Sequence, residues 1–245
     1  PLLPSVTPLP PVASAPLSPA SATTALSDFA PLSPDQVRQL ILKAKPTTSA
    51  LDPAPTKFVL EVLEVLLPVF QKIINLSLLS GTVPRAFKTA AVIPLLKKPG
   101  LDPDALCNYR PVSNLPYASK LVERAVANQL GDHLQANNMH APFQSAYRPA
   151  HSTETALLRV VNDLLSIVDS GDNALLVLLD LSAAFDVIDH NLLLSRLHSD
   201  IHLSNTVLYW FSSYLSDRTQ SVHVNGHTSS VTPLLCGVPQ GSVLG

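Results

Sequence analysis

The sequence predicts an α+β fold, on three observations. Two stretches repeat apolar residues at helical spacing: Leu121, Val122, Ala125, Val126, Leu130 and Leu134 in one, and Ala156, Leu157, Val160, Val161, Leu164 and Val168 in the other. The uninterrupted apolar run Ala174–Leu179, continuing past Asp180 to Leu181, has the length of a strand covered on both faces. Asn225-Gly226 between two extended runs is the strongest short signal for a β-hairpin.

The remaining elements follow in chain order. Residues 1–30 are rich in Pro, Ser, Ala and Thr and read as a flexible linker, because they bury too little apolar surface to offset ordering. Ser33-Pro34-Asp35-Gln36 is a helix start, with a cap, a proline at the first helical position and a reciprocal glutamine. That helix is expected to run to about Lys43. A loop broken by Pro46, Pro53 and Pro55 precedes a longer apolar helix over about Thr56–Leu79, kinked at Pro68. Ala90–Leu96 reads as a strand and Lys97-Lys98-Pro99-Gly100 as a turn. Helices are expected over Tyr117–Leu134, after the cap Ser152, over Asp189–His198 and over Ser204–Leu215. Gln220–Val224 opens the hairpin.

Composition narrows the function classes. A 245-residue chain with 46% hydrophobic and 14% charged residues is globular, of one or two domains, with a sizeable core. No uninterrupted apolar run reaches the roughly 18–20 residues of a membrane span, and no membrane partner is expected. The chain opens on Pro1 and its one methionine is Met139, so it reads as a fragment or a processed product. Cys107 and Cys236 lie far apart without metal-ligand spacing and suit free, buried thiols, with a structural pair as the alternative. The eight histidines carry no zinc spacing, and no P-loop, dinucleotide or nucleophile-elbow fingerprint occurs. A net charge of −2 does not point to nucleic acid, and the uneven distribution is by default a solvated surface. Residues 85–159 hold nine Lys/Arg against five Asp/Glu, whereas residues 163–200 hold seven Asp against the single Arg196. A basic half followed by an acidic half suits phosphates in one place and cations in another.

Asp180 is the candidate catalytic residue. It follows six apolar residues, where a bare carboxylate would cost several kcal/mol unless paired. A divalent metal would compensate it, and Mg²⁺ prefers one or two carboxylates plus phosphates. The plain alternative is a turn aspartate capping the next element. Asp186 and Asp189 read as structural, Asp189 as a helix cap. Lys97, Lys98 and Arg110 form a candidate phosphate-binding group, with Arg able to fork onto phosphate oxygens; Lys97 reads as an ordinary turn residue. Phe185 is either a core aromatic or part of a ligand pocket. Gln240, beside Gly241, could set an amide against a base or sugar, or could lie in a plain loop.

Taken together, these segments resemble reverse transcriptases of non-LTR (LINE-type) retrotransposons. Val177-Leu178-Leu179-Asp180-Leu181-Ser182-Ala183-Ala184-Phe185-Asp186 resembles the family's first palm motif, and Gly237-Val238-Pro239-Gln240-Gly241-Ser242 its second. Ile93-Pro94 through Lys98-Pro99-Gly100, and Asn108-Tyr109-Arg110-Pro111-Val112-Ser113, resemble its fingers motifs. Phe143-Gln144-Ser145-Ala146-Tyr147-Arg148 with Ser152-Thr153-Glu154-Thr155-Ala156 resembles the segment that follows. The resemblance implies an RNA-directed DNA polymerase with a right-hand fold of fingers and partial palm, thumb absent. Residues 31–84 would be a helical N-terminal extension and 85–245 the fingers and partial palm. It further implies two Mg²⁺ ions bound by Asp180 with the Leu181 carbonyl, and two-metal nucleotidyl transfer in an intact parent. Lys98 and Arg110 would hold the triphosphate, Phe185 would reject a ribose 2′-hydroxyl, and Gln240 and Gly241 would line the nucleotide and template pocket. The implied partners are an RNA template, a DNA primer and deoxynucleoside triphosphates, in the nucleus or cytoplasm.

The family's next motif supplies two adjacent aspartates, and this sequence contains no Asp-Asp pair. The chain alone is therefore expected not to polymerise DNA. Two other readings remain, a non-catalytic nucleic-acid-binding remnant and a decayed, poorly folded one. An assembled polymerase site would set Asp180, Arg110 and Gln240 around one cavity.

Overall fold

A computed structural model describes residues 24–47, 49–181 and 183–245. Helix α1 (Pro34–Lys43) starts as its sequence dictates. Ser33 Oγ accepts the Gln36 amide, the Gln36 side chain accepts the Ser33 amide, and Pro34 sets the first helical φ. The long helix expected next is two, α2 (Thr56–Glu61) and α3 (Leu63–Ser80). The break falls at Val62, whose carbonyl takes the amides of both Val65 and Leu66. Pro68 lies inside α3, because it removes only the bond to the Glu64 carbonyl and leaves the rest of the ladder. Helix α3 is long and apolar enough by length and composition to cross a membrane, with 18 residues and mean hydropathy 1.4. The sequence reading missed this by asking for an uninterrupted run, which Glu64, Gln71, Lys72 and Asn75 break up. One face of α3 (Leu63, Leu67, Ile74, Leu78) packs into the core.

Strands β1 (Thr89–Leu96) and β2 (Tyr109–Asn114) pair antiparallel. Strand β3 (Thr219–Val224) lies parallel on β1's other side, with Thr89 opposite Thr219. It turns through Asn225-Gly226, both at positive φ, into β4 (His227–Thr228), as a two-residue hairpin demands. Strand β5 (Thr232–Pro233) also pairs with β3, giving the order β2-β1-β3-β4 with β5 off that path.

The main core sits among α1, α3, α4 (Tyr117–Ala136) and α7 (Asn205–Leu215). Trp210 is fully buried at its centre, edge-on to Phe29 and stacked 5.4 Å from Tyr214. Phe29 is a correction to the linker expected over 1–30. Its first 23 residues lie outside the described ones, and the last few are part of the core. Leu26 bridges to Leu203, and Phe29 is large and apolar enough to repay the cost of ordering the segment.

Three further expectations are corrected. Helix α5 (Thr153–Asp169) forms with its predicted cap, but none of its residues is buried. Leu157, Val160, Val161 and Val168 of its apolar stripe face solvent, and Ala156 and Leu164 are only half-covered. Residues 174–181 form no strand, and Leu179 is 93% exposed. The reason is shared. Each segment has the pattern for burial, and no described element lies over it; β1 already has neighbours on both sides. The thiols of Cys107 and Cys236 are free but exposed, since both lie outside the packed elements. Helix α6 (His190–Ser199) starts at Asp189, which accepts the Leu192 amide as a cap should.

Candidate functional site

The β1–β2 hairpin brings the two basic motifs together. Arg110 stands opposite Leu95, and Lys98 lies just past the end of β1. Both side chains are exposed, whereas Lys97 Nζ donates to the Cys107 carbonyl at 2.7 Å and ties the turn.

The segment from Gly237 to Gly245 docks onto this hairpin and onto α4. The Ser113 amide donates to the Gln240 carbonyl at 2.8 Å, and Gly241 packs beside Val112 and Ser113. Beyond it, Glu123 of α4 acts as an anchor. Its Oε2 accepts the Val243 amide at 2.9 Å, the Leu244 amide at 3.3 Å and the Tyr214 hydroxyl at 3.3 Å. Its Oε1 accepts the Ser119 hydroxyl at 3.2 Å. Burial pushes the Glu123 carboxyl upward, and the Val243, Leu244 and Ser119 donors together with the Arg218 charge pull it back. Burial likewise holds the Tyr214 hydroxyl well above its usual range.

The other end of the segment holds the first palm-like motif. The Val238 amide donates to the Phe185 carbonyl and the Gly237 amide to the Ile188 carbonyl, each at 2.8 Å. A histidine from α6 adds a third tie, His190 Nε2 lying 2.7 Å from the Gly237 carbonyl. Gly237 adopts φ +78, and a Cβ there would lie 2.7 Å from the Phe185 carbonyl oxygen. Exchanging Gly237 for alanine should therefore cost at least about 1–3 kcal/mol in a urea melt, from the backbone conformation alone. An unchanged midpoint would show that this junction is not held as described.

The structure thus joins Phe185, Arg110's strand, Gln240 and Gly241, and leaves Asp180 apart. Asp180 and Leu181 are exposed, in the irregular stretch that was expected to be a buried strand. Among the described residues the Asp180 carboxylate has no hydrogen bond or ion pair. Phe185 is half-buried and lines a cavity of about 680 Å³ with Leu134, His140, Tyr147 and Leu244. Asp180, Arg110 and Gln240 are absent from its wall. No three Asp, Glu, His or Cys side chains converge among the described residues. One exposed carboxylate is not the donor set that two divalent ions require, so the site as it stands does not fit them.

Sequence reasoning missed Glu123, Tyr214 and Arg218. A signal was present: Glu123 and Arg124 are two charged residues set in the otherwise apolar run Leu121–Val126.

Comparison with known proteins agrees with the motifs. The family model of the reverse transcriptase (RNA-dependent DNA polymerase) matches residues 96–245. The chain is similar to the RNA-directed DNA polymerase from mobile element jockey of Drosophila melanogaster, 34% identical over 211 residues, or 85% of this chain. It is 33% identical to the jockey polymerase of Drosophila funebris over 88% of this chain. It is 34% identical to a probable RNA-directed DNA polymerase from transposon BS of Drosophila melanogaster over 66% of this chain. The chain spans only 22%, 23% and 18% of these curated relatives. A solved partial Cas6-RT-Cas1–Cas2 complex aligns over 86% of this chain and 31% of that one, at TM-score 0.41 and 18% identity, too slight a likeness to argue from. With a family model over residues 96–245 and polymerases of mobile elements a third identical along most of its length, the chain belongs to the reverse transcriptase family, in the form carried by non-LTR retrotransposons.

Proposed function

We propose that this chain is the fingers and incomplete palm of an RNA-directed DNA polymerase and works as part of a longer protein. The observation that carries the reading is the docking of Gly237–Ser242 on the Arg110 strand at one end and on Phe185 at the other. Three motif segments distant in sequence meet there. In this reading the exposed Lys98 and Arg110 take triphosphate oxygens, Arg as a fork and Lys as a point charge. Gln240 and Gly241 border the nucleotide and template, and the Phe185 ring occupies the space a ribose 2′-hydroxyl would need. Asp180 and the Leu181 carbonyl are this chain's share of the ligands for two Mg²⁺ ions, incomplete until further carboxylates join them. The substrates are an RNA template, a DNA primer and deoxynucleoside triphosphates, in the nucleus or cytoplasm.

The test is primer extension on an RNA template by a protein that carries this chain within the full length of its relatives. Absence of extension by the folded protein with divalent metal would overturn the reading. In the same assay, Phe185→Val should raise ribonucleotide incorporation by roughly tenfold or more, the scale of a lost steric contact. Unchanged sugar discrimination would remove Phe185 from that role.

For the chain by itself, nucleic-acid binding without synthesis is the second reading, favoured by the isolation of Asp180. Oligonucleotide affinity that falls steeply with salt, with no extension product, is its expected signature.

A further inference from the structure

Parallel pairing of β1 with β3 sets their first residues side by side, and a cation precedes each. Lys88 comes before Thr89, and Arg218 before Thr219, with the Thr219 amide donating to the Lys88 carbonyl at 3.2 Å. These residues, with Arg85 and Asp217, bound a cavity of about 740 Å³. Three cations thus face one carboxylate, flanked by the two threonine hydroxyls, 3.1 Å apart.

Arg218 is the residue that needs an explanation. It is 1% exposed, its Nε donates to the Tyr214 carbonyl, and its guanidinium lies 4.1 Å from the Tyr214 ring centroid. Its Nη1 and Nη2 are buried without a hydrogen-bond partner among the described residues. The nearby Glu123 charge is felt by Arg218, but among the described residues it makes no hydrogen bond to either nitrogen; its oxygens accept from Ser119, Tyr214, Val243 and Leu244. A guanidinium buried short of acceptors is costly, and the charge of an anion in the adjoining cavity would offset part of that cost without touching the buried nitrogens. Lys88 is 8% exposed and its Nζ donates to Ser216 Oγ at 3.4 Å; burial disfavours its charge, and the neighbouring Asp217 offsets this in part.

We infer that the cavity between the starts of β1 and β3 binds a phosphate group of a nucleic-acid strand, through Arg85 and Lys88, with the buried charge of Arg218 behind them. It lies a full β1 length, roughly 23 Å, from the Lys98 turn, and on the side of β1 away from β2 and Gln240. A phosphate there is therefore not the incoming triphosphate of the proposed nucleotide pocket. The assignment to a strand, rather than to a free phosphate, rests on the nucleic-acid reading above.

The experiment uses the full chain and a fluorescein-labelled single-stranded oligonucleotide, titrated by anisotropy across salt concentrations. Arg85→Gln and Lys88→Gln are the test variants, because Arg218→Gln risks the fold. Arg196→Gln, on the exposed face of α6, is the control. Each test variant should weaken binding by roughly fivefold at about 0.1 M salt, one counterion's worth on a single strand, and flatten the salt dependence by about one contact. The control should do neither. Equal losses in all three, or none, overturn the proposal. Thermal protection by inorganic phosphate that Lys88→Gln abolishes, with oligonucleotide affinity unchanged, would overturn the strand and leave an anion site. Failure here leaves primer extension by the longer protein untouched, so the two readings fail separately.

Discussion

Replacing Glu123 with leucine is expected to lower the unfolding free energy by about 3–5 kcal/mol in a urea melt, the usual cost of breaking a buried charged network from one side. The carboxylate accepts four hydrogen bonds, and its removal strands the Val243 and Leu244 amides. It also removes the nearby negative charge that faces the buried Arg218. Glutamine at the same position should cost less, since its carbonyl oxygen keeps an acceptor for the two amides and burial no longer opposes a charge. The double variant Glu123→Leu, Arg218→Met should regain part of the loss, because it removes both charges at once. A single-variant loss below about 1 kcal/mol would show that the Gly237–Gly245 segment is held by something other than Glu123.

Asp180→Asn should separate activity from stability. In the longer protein, primer extension is expected to fall by at least about 10³-fold, the scale at which loss of a charge-stabilising group slows a transition state. The midpoint of unfolding should stay within about 0.5 kcal/mol of the parent, because Asp180 is exposed and makes no bond among the described residues. Near-normal extension would remove Asp180 from the catalytic role. A large stability loss would mean that it holds structure in the full-length protein.

Legibility in the sequence divides by the range of the interactions. The capping box at Ser33, the cap at Ser152 and the Asn225-Gly226 turn are set by bonds within a few residues, and all formed as read. The apolar face of α4 was legible because its partners, α1, α3 and α7, are all present. The same reliance on burial failed for α5, read from periodicity, and for residues 174–181, read from an unbroken apolar run, because no described element covers either. Position 62 shows another limit: a proline announces the bond it removes, whereas the double acceptance at the Val62 carbonyl has no residue type to mark it. The motifs come together only in part: Arg110's strand and Phe185 both bond to the Gly237–Ser242 segment, but Arg110 and Gln240 do not share the Phe185 cavity. Glu123 escaped notice because its role depends on amides about 120 residues away.

The bare side of α5 bears on how long this polypeptide would survive in a cell. Leu157, Leu158, Val161, Leu165 and Val168 offer a sticky ridge of the kind that chaperones grip and proteases follow. Whatever chain first lies down on that ridge decides between lasting assembly and disposal.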